Sequence, residues 1–436
     1  MATESKSLFA KIWQIPELKR KITFTLIMLA VYRIGVFVTL PGVDRNAMAE
    51  FFIGGGGGGF LGLFNTFSGN AIKQLSVFAL GIMPYISASI VFQLLTVAIP
   101  TLDRLNKEGE QGRKKINQWT RYATIALALF QGYFIGTFLE GLGNKIVLEP
   151  GMSFRLMSVL TLTTGTAFVM WLAEQITERG IGNGMSLIIF AGIVSGLPDA
   201  MGEVANMEQA TLLFLLAFIF GIILFIVFIE RAQYRIPIQY SKRMVGNVAG
   251  DVQTSYLPLR INMAGVIPPI FASSLLMFPG VLSSWASVSW LTAITDSLQP
   301  GSWSYILVFS ALNIFFCYFY TAVMFNPTDV AENLKRQGGS VPGVRAGAQT
   351  SEYIDRVLTR LTFAGGLYVA AVCVVPMFVQ EQFRVSFYFG GTSLLIIVSV
   401  ALDTIQQIEA HLYEANYAAL SSQGSESVKL RETEAI

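Results

Sequence analysis

Ten stretches of this chain are apolar over about the length a helix needs to cross the hydrocarbon of a bilayer, roughly 20 residues. They fall at roughly 22–40, 75–99, 119–139, 154–173, 183–197, 211–229, 261–283, 304–325, 361–380 and 387–402, the fifth and tenth being short. Backbone polar groups in hydrocarbon must bond to one another, so runs of this kind fold as helices. Composition leads to the same place. The 436 residues are 53% hydrophobic and 13% charged, with a mean hydropathy of +0.56, whereas a soluble domain carries about a quarter charged residues. The expected fold is an all-α polytopic membrane protein with ten transmembrane helices.

The charges that remain are clustered between the runs, and their sign sets orientation. Five basic residues precede the first run, ending at Lys21. Arg104, Lys107, Arg113, Lys114 and Lys115 lie between the second and third. Arg231, Arg235, Lys242, Arg243 and Arg260 lie between the sixth and seventh, and Lys335, Arg336, Arg345, Arg356 and Arg360 between the eighth and ninth. The alternate loops hold only Arg45, Lys73, Lys145, Arg155 and Arg384. Both termini are therefore expected in the cytoplasm. The opening MATESKSLFAKIWQIPELKRK lacks a small-residue cleavage site after its first apolar stretch, so it is expected to be retained. Cys317 and Cys373 sit within apolar runs and read as small core residues.

The chain repeats itself. GIMPYISASI at 81–90 matches GVIPPIFASS at 265–274, and GMSLIIF at 184–190 matches GTSLLII at 391–397. The first pair lies in the second run of a set of five, the other in the fifth. The expected organisation is a cytoplasmic segment 1–21, an N-terminal half 22–200, a C-terminal half 201–405 and a cytoplasmic tail 406–436. Five is odd, so the second half enters the membrane inverted, an arrangement in which interrupted or short spans at matching positions mark the pathway. The alignment pairs Ile86 with Ile270 and Ile189 with Ile396. Ile82 and Met185 lie one turn from Ile86 and Ile189 and share their faces. Two arrangements are open: an apolar collar around a pore, or ordinary packing and lipid-facing side chains.

Glu140, Glu174, Glu230 and Asp403 all fall at span ends, and Arg33 is the only basic residue well inside a span. Ion channels and transporters carry polar or charged groups at mid-depth, although each charge costs about 3 kcal/mol there. An apolar constriction suits a passenger of varied chemistry, closes by dewetting and, lined by isoleucine, is stiff. Between the first two runs lies GGGGGGFLGLFNTFSGNAIK, 54–73. Six glycines hold no helix, while the apolar part after them is long enough for about two turns. It either lies on the outer membrane surface or folds back as a stopper on a slack tether.

Five ordered segments carry a family resemblance: SVFALGIMPYISASIVFQ at 76–93, WLAEQITERGIGNGMSLII at 171–189, NMAGVIPPIFASS at 262–274, VPGVRAGAQTSEYIDRVLTRLT at 341–362 and FYFGGTSLL at 387–395. Through them the chain resembles the SecY family over nearly its full length. That resemblance implies a central protein-conducting channel of the bacterial inner membrane. Unfolded polypeptides pass through it, and hydrophobic segments leave by a lateral gate into lipid. It places the pore ring on Ile82, Ile86, Met185, Ile189, Ile270 and Ile396, with methionine at a position usually aliphatic. It places the plug at about 60–72, including Leu63, Phe64 and Phe67, and the lateral gate at Ser87, Gln93, Asn262 and Phe278. Loops 231–260 and 327–360, with Arg235, Lys242, Arg243, Arg345 and Arg356, resemble docking arms for the ribosome or the motor ATPase SecA. SecE and SecG are the implied small subunits, and signal sequences, unfolded chains and membrane lipids the implied ligands. No cofactor is implied. The six-glycine run departs from the family pattern.

Two other classes are weighed against this one. A secondary transporter also uses inverted repeats, but it needs mid-membrane ionisable residues, which these runs lack. An enzyme needs a nucleophile and base or a carboxylate pair within a span, and none is offered. No Gly-x4-Gly-Lys-Ser/Thr phosphate loop occurs, and the single histidine, His411, lies past the last run, so energy is expected from a partner.

Overall fold

The computed structural model describes residues 15–52, 65, 68–142, 146–198, 202, 208–240, 244–245, 248–249, 254–285, 295, 297–299, 302–383 and 391–434. Each of the ten predicted spans falls on a helix among them. These are α1 (Pro16–Val36), α3 (Met83–Ala98), α5 (Glu110–Gly141), α6 (Met152–Arg179), α7 (Gly184–Ser195), α8 (Gln209–Arg231), α9 (Ile267–Trp285), α10 (Trp303–Met324), α12 (Ala348–Phe383) and α13 (Gly391–Glu434). Shorter helices α2 (Arg45–Phe51), α4 (Pro100–Lys107) and α11 (Pro327–Arg336) lie between them. Among the described residues six helices are individually long and apolar enough to cross a membrane, and α3 with α4 makes a further candidate bent by 101°.

The chain forms two compact units. One takes Met1–Ala88, Thr120–Leu197 and Val400–Ile436, the other Ser89–Trp119 and Pro198–Ser399. In the first unit α1 packs on α6 and α7, and α6 packs on α7. Helices α5 and α6 are pinned twice: Arg121 bonds Glu174 and Arg155 bonds Glu140, each at 2.7 Å. From residue 121 to 140, and from 155 to 174, each helix climbs about 28 Å at roughly 1.5 Å per residue, close to the roughly 30 Å of hydrocarbon. Carboxylates that the sequence puts at span ends are thus neutralised there, where charge is cheapest.

Three expectations need correction. The second span begins as turns, not helix: residues 77–82 are turns and α3 starts at Met83. The backbone there is held by neighbours, with Val77 N–H donating to Val38 and Leu40 N–H to Leu75. The tenth span is not short: the part of α13 apolar enough to cross a membrane is Gly391–Glu414, and the helix continues beyond it to Glu434. Arg33 is not well inside a span: α1 ends at Val36, which leaves Arg33 in its last turn, where a cation suits the helix dipole.

In the second unit α10 packs on α9 and α12, and α12 also packs on α11. The two loops that resemble docking arms fold together. Strand β1 (Gln233–Tyr240) pairs antiparallel with β4 (Thr254–Arg260) and with β5 (Gly339–Ser340), while β2 (Met244–Val245) and β3 (Val248–Ala249) form a small ribbon. Ile236, Ile238 and Leu259 bury against Leu334, Val341 and Ile354. Alternation in QYRIPIQY signals this strand. Cys317 and Cys373 are buried and unbridged.

Candidate functional site

The two repeats are repeated in the backbone. Gly81 and Gly265 both adopt left-handed conformations, at φ 53° and 63°. In each case a helix begins two residues on, at Met83 and Ile267, and its second residue is proline, Pro84 or Pro268. Proline suits that position because its missing N–H would have no intrahelical partner. The other pair behaves alike. Helix α7 begins at Gly184 and α13 at Gly391. A Cβ on Gly184 would collide with the Ala173 carbonyl of α6, and one on Gly391 with the Val372 carbonyl of α12. Each glycine lets a helix start press against the backbone of the helix before it.

Each of the four isoleucines matched in sequence stands five residues beyond one of these glycines. Ile86 is 9% exposed, Ile189 4%, Ile270 7% and Ile396 0%, against 72% for Phe228 on α8. Ile82 is also buried, and Met185 is half-buried. Ile82, Ile86, Met185 and Ile189 belong to the first compact unit, Ile270 and Ile396 to the second. None of the five isoleucines has the exposure of a lipid-facing side chain.

Leu63, Phe64, Phe67, Lys242 and Arg243 lie outside the described residues, and Phe278 is described only by its place on α9. The C-terminal end of the stretch assigned to the plug is densely bonded. Asn65 is buried; its amide donates to Asn70 Oδ1 at 2.9 Å and its own Oδ1 accepts from Lys73 N–H at 3.0 Å. Tyr32 donates to the Ser68 carbonyl at 3.3 Å and Arg33 to the Gly69 carbonyl at 2.9 Å. Sequence reasoning missed these anchors, although a lone arginine within the first apolar run was the visible signal.

Of the gate residues, Ser87 is half-buried and Gln93 donates to Ser89 Oγ at 3.3 Å. Its carbonyl oxygen is buried with no hydrogen-bond partner among the described residues. Asn262 donates to Glu230 Oε1 at 2.8 Å and to the Gly265 carbonyl at 3.1 Å. Its amide is therefore partnered without help from Gln93, which belongs to the same unit. Arg235 is exposed on β1, Arg345 is exposed in the turn after β5, and Arg356 pairs with Glu352 at 3.1 Å on the α12 surface. Among the described residues no three His, Cys, Asp or Glu side chains converge as a metal site would need.

The SecY family model matches residues 76–405. The chain belongs to the SecY family. It is 48% identical over 415 residues to the protein translocase subunit SecY of Escherichia coli K12, covering 92% of this chain and 93% of that one. It is 49% identical over 421 residues to the Vibrio cholerae subunit of the same name, covering 93% and 94%. Among solved structures, a protein-conducting channel superposes with a TM-score of 0.63 at 16% identity, covering 92% of this chain and 96% of that one. Sec61 in a canine ribosome–channel complex superposes at 0.60 and 16%, with the same coverage. These likenesses carry the fold. This SecY-family chain is thus a multi-pass helical membrane protein, a channel subunit and not an enzyme.

Proposed function

We propose that the chain is the central protein-conducting channel of a Sec translocase, with Ile82, Ile86, Met185, Ile189, Ile270 and Ile396 as its constriction. The observation that carries this is a pattern found four times: a glycine that re-aims or crowds a helix start, then a buried isoleucine five residues later. Aliphatic side chains offer no hydrogen bond to a passing residue, so they select nothing and strip no particular side chain of its water. With the passenger absent, a waist of this kind excludes ions because it does not wet. Met185, being unbranched and half-buried, is its softest point.

Residues about 60–72 act as the stopper, and spans two and seven, α3 and α9, as the lateral gate. A hydrophobic signal segment competes for the gate, since it buries there apolar surface worth about 25 cal/mol per Å². The unpartnered Gln93 carbonyl oxygen favours a gate that opens without breaking a bond at that atom. The sheet module presents Arg235 and Arg345 to SecA or the ribosome, SecE and SecG complete the complex, and both termini face the cytoplasm of a bacterial inner membrane. Those assignments rest on the family resemblance and the distribution of basic residues.

Photo-crosslinking residues placed one at a time at positions 86, 189, 270 and 396 test the constriction. All four are expected to label a secretory chain stalled in transit. Labelling from the exposed position 228 and none of these four would place the pathway elsewhere. Copurification of small single-span partners tests the assembly.

A further inference from the structure

Two consecutive residues of α1 reach two consecutive backbone carbonyls near the end of the stretch assigned to the stopper. Tyr32 is buried, stacks on Phe78 with ring centroids 6.1 Å apart, and bonds Ser68. Arg33 is half-buried, lies with its guanidinium carbon 5.3 Å from the Phe37 ring centroid, and bonds Gly69. Gly69 and Asn70 are both left-handed, at φ 69° and 65°, so the chain reverses where it is held. On its other side Gly69 meets α7: a Cβ there would lie 2.7 Å from the Gly192 Cα. Gly192 is three residues beyond Ile189 and shares its helix face. Residues 68–70 are thus clamped between the last turn of α1 and the helix that carries Met185 and Ile189.

We propose that Arg33, assisted by Tyr32, is the latch that sets the resting position of the stopper, a positioning role. The proposal rests on reading 60–72 as the stopper. A guanidinium is the one charged donor on this stretch of α1, and a charge-assisted bond to a carbonyl is among the strong ones. A fully helical segment would keep the Gly69 carbonyl for itself; the left-handed pair leaves it for Arg33. Packing on Phe37 alone would not call for an arginine, whereas holding a carbonyl does, and its consequence is a threshold. A stopper seated through Ser68 and Gly69 stays until a passenger supplies enough binding to release it.

The test measures resting ion conductance of the purified full-length chain in planar bilayers, and export of a passenger with a weakened signal segment. Both are read in the intact chain and in a chain lacking 60–67. Arg33→Ala is expected to raise resting conductance about tenfold or more, the worth of one charged hydrogen bond, and to admit the weakened passenger. Arg33→Lys, which still donates, should recover most of the seal, and Tyr32→Phe should leak a few-fold. In the chain lacking 60–67, Arg33→Ala should add nothing. An equal increase in both backgrounds would overturn the latch, because Arg33 would then act on the channel frame. No increase in the intact chain would also overturn it, while leaving the stopper standing if deletion of 60–67 alone raises conductance. If the deletion alone changes nothing, the stopper reading fails, and the latch with it.

Discussion

Gly184→Ala and Gly391→Ala are expected to destabilise the protein by similar amounts, because both glycines do the same work in the two repeats. An added Cβ at 184 would lie 2.7 Å from the Ala173 carbonyl carbon, and at 391 it would lie 2.5 Å from the Cys373 Cα. In both cases the obstacle is backbone of a long helix, α6 or α12, which cannot rotate away as a side chain end would. Overpacking of this type costs about 1–3 kcal/mol. Alanine recovers less than the about 1 kcal/mol it gains over glycine in a helix interior, since both positions are the first of their helices. The steric effect therefore wins. A compact unit of a few hundred residues loses about 2–4 °C for each kcal/mol, so the apparent Tm in detergent should fall by roughly 2–12 °C. Gly221 provides the control: it lies within α8 with no atom within 4 Å of a Cβ position. Gly221→Ala should hold or raise Tm by gaining helix propensity. If all three variants melt alike, the close approach at the helix starts is wrong, and the structural equivalence of the two repeats loses its physical basis.

The same geometry sets other outcomes. A double-mutant cycle across Arg155 and Glu140, whose carboxylate is 10% exposed and also accepts the Gly151 N–H at 2.9 Å, should give a measurable coupling larger than that of a fully exposed pair. The exposed Arg356–Glu352 pair should give about 0.5 kcal/mol or less; equal values would mean burial is not what strengthens the first. Ile236→Ala removes a fully buried side chain from the β1–β4–β5 sheet and should cost about 2–5 kcal/mol, read as faster proteolysis between residues 231 and 260. Unchanged cleavage would mean the sheet does not depend on that core. Arg345→Glu should impair motor-driven transport with Tm unchanged, since the side chain is exposed; intact transport would remove the docking assignment there.

Much of this was legible in the residues. Apolar runs of membrane-crossing length leave one secondary structure open to them, so ten helices could be read without coordinates. The glycine–proline and glycine–serine repeats were equally visible, because repeated local backbone needs repeated small or ring-constrained residues. Sequence also isolated Arg33 as the one basic residue well inside a run, although the helix ends three residues later.

What it could not supply was anything set by partners distant along the chain. The turns of 77–82 are apolar enough to read as helix, yet the Val77 N–H goes to the residue 38 carbonyl, and the Leu75 carbonyl just before them to residue 40. Two basic loops read separately as docking arms share one sheet, since β1 pairs with β5 about a hundred residues later. Arg33 stood out by its charge, but only folding brings the Gly69 carbonyl to it. Local physics fixes which segments become helices; the pairing of a donor with an acceptor remote along the chain is decided when the helices pack.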